Sequence, residues 1–114
     1  MPHPQALPNA HLAVIAPEKL HGYALNPAHP RGGPKARVFA SALGYTRENW
    51  HELAAAIREA LPEHPAVERQ KAGGREFAVD LHLVGPGGRA MVRTGWMIDE
   101  GQDAPRLTTL YVNR

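Results

Sequence analysis

The chain has 114 residues, a formal net charge of +2 and no cysteine. This length suits a single domain with one hydrophobic core, and the lack of cysteine excludes a disulfide framework and a thiolate metal site. Charge is uneven: residues 1–46 hold four Lys or Arg against one acid, and residues 47–114 hold nine against ten. The N-terminal part therefore carries a positive field, which points to an anionic partner.

Residues 1–16 are expected to form an N-terminal lead-in that is partly disordered or a short strand, ahead of a single domain over residues 17–114. The first eight residues include three prolines and no apolar run, so we predict neither a signal peptide nor a membrane segment there. The absence of cysteine is compatible with a reducing cytoplasm, where we place the protein.

Two helices are predicted before residue 44. The first begins at Pro17 and ends near Asn26, because a residue that precedes proline avoids the α region. The second runs over residues 35–43, with Pro34 at its first position and Gly44 suited to end it in a left-handed conformation.

A third helix has the clearest pattern in the chain. Thr46 is its predicted N-cap, and Pro62 ends it. Its apolar residues recur at helical spacing along one stripe: Trp50, Leu53, Ile57 and Leu61.

From residue 66 the apolar period changes from helical to alternating. Strands are predicted at residues 66–71, 77–83, 89–98 and 107–112, with Gly-rich turns between the first three. Helices followed by such strands give an α+β fold, in which two to three N-terminal helices pack on a mostly antiparallel four-stranded β-meander.

Candidate binding residues surround the start of the second helix. Gly32 and Gly33 would let the backbone approach a phosphate, toward which the helix N–H groups point. Arg31 and Lys35 could hold the same phosphate, and Lys35 lies in the first turn, where a cation opposes the helix dipole. A bound anion would explain that placement; solvated basic side chains at a polar helix start are the alternative.

The order of several short blocks resembles a small, uncharacterised bacterial domain family. Its members stand alone or end phage and polymorphic-toxin proteins, and no settled activity is attached to them. The blocks in this sequence are Lys19-Leu20-x-x-Tyr23-x-Leu25-Asn26, His29-Pro30-x-Gly32-x-x-Lys35-Ala36, Asn49-Trp50-x-x-Leu53, Gly85-Pro86-x-Gly88-Arg89, Val92-Arg93-Thr94-x-Trp96 and Pro105-Arg106-Leu107-x-Thr109-x-Tyr111.

More distantly, the arrangement resembles the fold of barnase, EndoU, colicin E5 and RelE, whose toxins cut RNA without metal. That resemblance implies a ribonuclease in which a base, an acid and cations surround one phosphate. The predicted catalytic residues are His29, Lys35 and Thr109, and the predicted substrate-binding residues are Arg31, Gly32, Gly33, Arg93 and Tyr111.

The predicted site requires both halves of the chain to converge. We expect side-chain atoms of His29, Lys35 and either Thr109 or Tyr111 to lie within about 10 Å of one another, since catalytic contacts are often loose before substrate binds. Strict alternation along the last strand puts Leu107, Thr109 and Tyr111 on one face, and Thr108, Leu110 and Val112 on the other.

Other functions stay open on the sequence. The domain could be a non-catalytic module that binds nucleic acid or protein, such as the partner of a toxin–immunity pair, or a phage accessory domain. RNA and a cognate immunity or antitoxin protein are the predicted partners; neither a membrane nor a cofactor is expected. Asp80 and His82 share a strand face, but two ligands make a weak metal site. Trp50 and Trp96 fall on apolar faces and are predicted to be core.

Overall fold

The computed structural model describes residues 2–113, which form an α+β domain. Met1 and Arg114, at the outer bounds of the predicted lead-in and domain, lie outside the described residues. The helices are α1 (Pro17–Lys19), which continues into a π-helix (Leu20–Ala24), α2 (Gly33–Leu43) and α3 (Trp50–Ala60), with short 3-10 turns at Ala10–Leu12, Arg47–Asn49 and Leu61–Glu63. The strands are β1 (Ala66–Lys71), β2 (Gly74–Gly85), β3 (Gly88–Asp99) and β4 (Arg106–Val112).

The sheet confirms the predicted meander. Its four strands are in the order β1-β2-β3-β4, and each is antiparallel to the next. One face packs against the helices and supplies much of the core, including Phe77, Val79, Leu81, Val92, Trp96 and Leu110. The opposite face, here called the open face, alternates with these residues and carries mainly small and charged side chains.

A β-bulge changes the alternation predicted for β4. Gly95 pairs with Thr109, but the next residue, Trp96, pairs with Leu107, so Thr108 is the extra residue. Leu107 is therefore buried on the helix face with Leu110, whereas Thr109 lies on the open face. The prediction that Leu107 and Thr109 share a face is wrong, because a bulge shifts the side-chain period by one residue.

The core contains one buried polar relay, and it is centred on Thr94. Its hydroxyl donates to the Val79 carbonyl at 2.8 Å and accepts the Trp96 indole N–H at 2.8 Å. Trp96 is fully buried, as predicted. Trp50 packs on the core but is half-buried, because one side of its ring remains at the surface.

The helix ends follow local sequence rules. Gly44 ends α2 in the left-handed conformation, with φ of 78°. Thr46 and Asn49 form a reciprocal capping box ahead of α3, in which the Asn49 side chain accepts the Thr46 N–H at 2.7 Å. No helix in residues 2–113 is both long and apolar enough to cross a membrane.

Residues 2–16 lie against the rest of the domain. Leu7, Ala13 and Ile15 are buried. Val14 forms a single parallel bridge with Arg106 at the outer edge of β4, where a short strand was expected. This bridge involves only the beginning of β4, which also contacts the π-helix and α2.

Candidate anion-binding site

Tyr23 lies in the π-helical segment that precedes α2. In this segment the Leu25 N–H donates to the Leu20 carbonyl at 2.8 Å, five residues back, which is the spacing of a π-helix. Such widened turns occur often at functional sites. The turn after it reverses the chain, so that Tyr23 lies opposite the first turn of α2.

Lys35 projects from that first turn toward the edge of the sheet. Its ammonium donates to the Tyr23 hydroxyl at 2.8 Å and to Thr109 Oγ1 at 3.3 Å. It also lies 4.8 Å from the ring centroid of Tyr23 and 5.6 Å from that of Tyr111. Tyr23, Lys35, Thr109 and Tyr111 are called the Lys35 cluster below. They bring the helical half and the last strand together, because β4 is an edge strand around which a long side chain can reach.

The Lys35 ammonium is bound by hydroxyls and aromatic rings. None of the ion pairs in residues 2–113 involves it. Hydroxyl oxygens and aromatic faces stabilise a cation without neutralising it. An ammonium has three N–H groups, and two of them are used here. The third is left for a ligand.

The hydroxyls of the cluster are also available as donors. Tyr23 and Thr109 each accept a hydrogen bond from Lys35, so their own hydrogens point elsewhere. The cluster therefore places two hydroxyl donors next to the ammonium. That combination suits an oxyanion, which accepts several hydrogen bonds and carries the opposite charge.

Arg93 supports the cluster from β3 and is itself paired. Its guanidinium binds Asp80 through two bonds, Nε to Oδ1 at 2.7 Å and Nη2 to Oδ2 at 2.9 Å. The hydrogen bonds with Asp80 raise the pKa of Arg93, and the nearby Tyr111 makes a smaller contribution. In turn, the hydrogen bond from Arg93 lowers the pKa of Asp80. Arg93 lies opposite Tyr111 on the neighbouring strand, and its pairing with Asp80 offsets much of the guanidinium charge.

Asp80 is consequently not placed as a metal ligand beside His82. Within residues 2–113 no group of three or more His, Cys, Asp or Glu side chains is arranged to hold a metal ion. The His82 backbone N–H instead faces the ring of His64, with its Nε2 at 3.3 Å.

His29 organises the turn that precedes α2. Its Nδ1 accepts the N–H groups of Arg31 at 3.0 Å and Gly32 at 2.9 Å, and its carbonyl accepts the N–H of Gly33 at 2.8 Å. The imidazole also meets the Tyr23 ring edge-on, with centroids 4.9 Å apart. It therefore lies behind the cluster, one phenol ring away from Lys35.

This geometry restricts what the imidazole can do. Because Nδ1 accepts two hydrogen bonds, the proton of the neutral ring is on Nε2. To act as a general base at Nε2, the ring would have to carry its proton on Nδ1. That N–H would then point at the N–H groups of Arg31 and Gly32, which is unfavourable. The arrangement favours His29 as a hydrogen-bond donor and a positioning residue over proton abstraction.

The backbone of Gly32 and Gly33, predicted to approach a phosphate, makes other contacts in this structure. His29 already accepts both N–H groups, so neither is free for a phosphate. A Cβ on Gly32 would lie 2.1 Å from the Tyr23 carbonyl oxygen, and one on Gly33 would lie 2.8 Å from that of Pro27. These positions require glycine because two backbone segments pack closely there.

A family model matches residues 6–114, nearly the whole chain. The chain belongs to the DUF6883 family, a domain of unknown function. No curated protein and no solved structure matches it. The family assignment confirms the uncharacterised-domain resemblance, and the more distant resemblance to ribonuclease toxins stays a prediction. Since the match starts at residue 6, the DUF6883 unit includes most of the packed lead-in.

The DUF6883 domain gathers five of the predicted site residues and leaves Arg31, Gly32 and Gly33 outside the cluster. Lys35, Thr109 and Tyr111 are in direct contact, and Arg93 and His29 adjoin them through the two tyrosines. Arg31 is exposed, and no hydrogen bond or ion pair among residues 2–113 joins its side chain to the cluster.

Tyr23 is the site residue that the sequence did not select. In the sequence it stands at helical spacing with Leu20 and Ala24, a pattern that indicates the apolar face of a helix. Its phenol hydroxyl was the available indication, because a hydroxyl on an otherwise apolar stripe needs a polar partner. In the DUF6883 domain that partner is Lys35.

Proposed function

We propose that this DUF6883 domain is a toxin-like module that binds the phosphodiester backbone of RNA at the Lys35 cluster. One observation carries the proposal. The ammonium of the half-buried Lys35 is bound by hydroxyls and has no ion-pair partner within residues 2–113. Taking a cation partly out of water is costly unless a counter-charge compensates. A bound phosphate supplies that charge and accepts the free hydroxyl hydrogens.

The surrounding charge favours a polyanion over a single small anion. No carboxylate occurs in the sequence between Glu18 and Glu48, and Arg31, Lys35 and Arg37 all lie in that window. The positive field of several neighbouring cations attracts a chain of phosphates and accelerates its binding.

RNA cleavage is a second candidate function, supported by the two hydroxyls that flank the Lys35 ammonium. In this reaction the 2′-oxygen attacks phosphorus and the bond to the 5′-oxygen breaks, which leaves a 2′,3′-cyclic phosphate. Solvent takes the 2′-hydroxyl proton and returns a proton to the 5′-oxygen. The cluster would stabilise the negative charge that builds on the phosphoryl oxygens.

Binding is tested by fluorescence anisotropy with a labelled single-stranded RNA and a DNA of the same sequence. Lys35→Met should weaken RNA binding about tenfold. It should also reduce the slope of log binding constant against log salt concentration by about 0.7, the value for one phosphate contact on a single strand. Arg89→Met is the matched control, since it removes an exposed cation that lies outside the basic window. Equal affinity of wild type and Lys35→Met would refute the site, and wild type that binds no RNA at low salt would favour a protein partner.

Cleavage is tested separately with end-labelled RNA in the presence of a chelator. The expected products carry 2′,3′-cyclic phosphate ends, appear with wild type and are lost with Lys35→Met. Expression of wild type in bacteria without neighbouring genes should be toxic, and the variant should relieve the toxicity. If the protein binds RNA and the RNA stays intact, the binding function is supported and the nuclease function is rejected.

A further inference from the structure

A groove of ≈ 400 Å³ crosses the open face of the sheet beside the Lys35 cluster. Its floor is a row of small residues in register on three neighbouring strands: Ala78 of β2 pairs with Gly95 of β3, which pairs with Thr109 of β4. This volume falls in the usual range for sites that hold small organic ligands. The feature is called the open-face groove.

Charged side chains form the two walls of the groove. Arg93 and Tyr111 line one side, and Arg69 and Glu76 line the other. Arg69 and Glu76 are paired at 3.0 Å, so this wall presents a donor and an acceptor close together. The floor offers little polar surface of its own. A ligand that fits must be flat and apolar on its face, and polar at its edge.

Thr109 belongs to both the groove and the cluster. Its Oγ1 faces Lys35 at 3.3 Å, and the residue also lines the groove. A phosphate held at Lys35 would therefore have its attached sugar and base beside the floor at Gly95 and Ala78.

On the basis of the proposed function, we infer that the open-face groove holds the nucleoside attached to the phosphate at Lys35. A nucleobase has the flat face and polar edge that the groove requires, and Arg93 and Tyr111 provide planar groups for stacking. Only an unpaired base can enter, because bases in a duplex are stacked and their edges are occupied. The groove thus selects single-stranded RNA.

Ala78 is the residue at which the groove can be filled. Gly95 is unsuitable, since a Cβ there would lie 2.9 Å from Thr109 Cγ2 and would disturb the strand pairing. Ala78 already has a Cβ on the open face, and Ala78→Leu lengthens it into the groove. Val84→Leu is the matched control, because Val84 lies on the same strand and face and is 71% exposed.

The test compares an RNA hexamer with a hexamer of abasic ribose phosphates. Wild type should bind the RNA about tenfold more tightly, the effect of one stacked base. Ala78→Leu should remove that preference and leave abasic binding unchanged, and Val84→Leu should retain it. If Ala78→Leu keeps the preference, the groove inference fails while phosphate binding stands. If wild type binds neither strand, the proposed function fails as well.

A second measurement needs no variant. Amide chemical shifts of wild type are followed as the RNA hexamer and the abasic hexamer are added in turn. The RNA should shift the Ala78 and Gly95 amides, and the abasic strand should shift only residues around Lys35. Identical shift patterns for the two strands would overturn the inference.

Discussion

Variants of His29 distinguish a structural role from a catalytic one. A structural role predicts that His29→Ala loses stability and His29→Asn does not, whereas a catalytic role predicts that both lose RNA cleavage. His29→Ala removes the acceptor of two backbone N–H groups, at 3.0 and 2.9 Å. A typical hydrogen bond contributes about 0.5–1.5 kcal/mol to stability, so the expected loss is about 1–3 kcal/mol. The Gly32 N–H is part-buried and should contribute more than that of Arg31, which water can reach in the variant.

His29→Asn is the matched variant. The Asn side-chain oxygen lies where Nδ1 does in histidine, so it can accept the same N–H groups. It should restore most of the stability lost in His29→Ala, measured by urea unfolding with tryptophan fluorescence as the signal. In thermal melts the two variants should differ by about 3–6 °C for each kcal/mol of stability restored, the usual shift in a domain of this size.

RNA assays with the same variants separate positioning from chemistry. If His29 acts by holding the turn, His29→Asn should keep most of the RNA binding and of any cleavage. Loss of cleavage in a stable His29→Asn variant would show that the imidazole takes part in the reaction. If His29→Ala is within about 0.5 kcal/mol of wild type in stability, the turn does not depend on the two bonds and the reasoning is refuted.

Three further predictions concern stability. Thr94→Val should cost about 2–3 kcal/mol in urea unfolding, because the buried indole N–H of Trp96 loses its acceptor; a loss below about 1 kcal/mol would contradict the relay. Gly32→Ala should cost about 1–3 kcal/mol through its clash, whereas Gly22→Ala, whose Cβ meets its nearest atom at 3.8 Å, should be neutral or stabilising in the same assay. The ion pair lowers the pKa of Asp80, so its contribution is present above about pH 4 and is lost as pH falls through the folded-state pKa. Asp80→Asn should thus lose less stability than wild type between pH 5 and pH 3, and equal losses would exclude that contribution.

Local sequence determined the elements of this protein because their causes are local. The stripe in α3 and the alternation in β2 need only neighbouring residues, since the periods of helix and strand set which side chains share a face. The same holds for Gly44 and Thr46, which end α2 and precede α3: left-handed backbone favours glycine, and a threonine side chain can cap helix N–H groups.

The site depends on contacts between distant segments, and the sequence predicts such contacts only in part. It proposed that Lys35 meets Thr109, but their hydrogen bond depends on β4 being the uncovered edge of the sheet at that point. The bulge at Thr108 turns the Leu107 side chain to the helix face of the sheet. It arises from pairing with β3, so alternation within β4 could not reveal it.

The glycines before α2 show the limit most clearly. Sequence established that Gly32 and Gly33 permit close approach of another group, because they lack a Cβ. It could not establish which group approaches. The tertiary structure decided in favour of the carbonyls of Tyr23 and Pro27, since His29 folds back and occupies the N–H groups that a phosphate would need. Which partner a permissive residue receives is set by the packing of the whole chain.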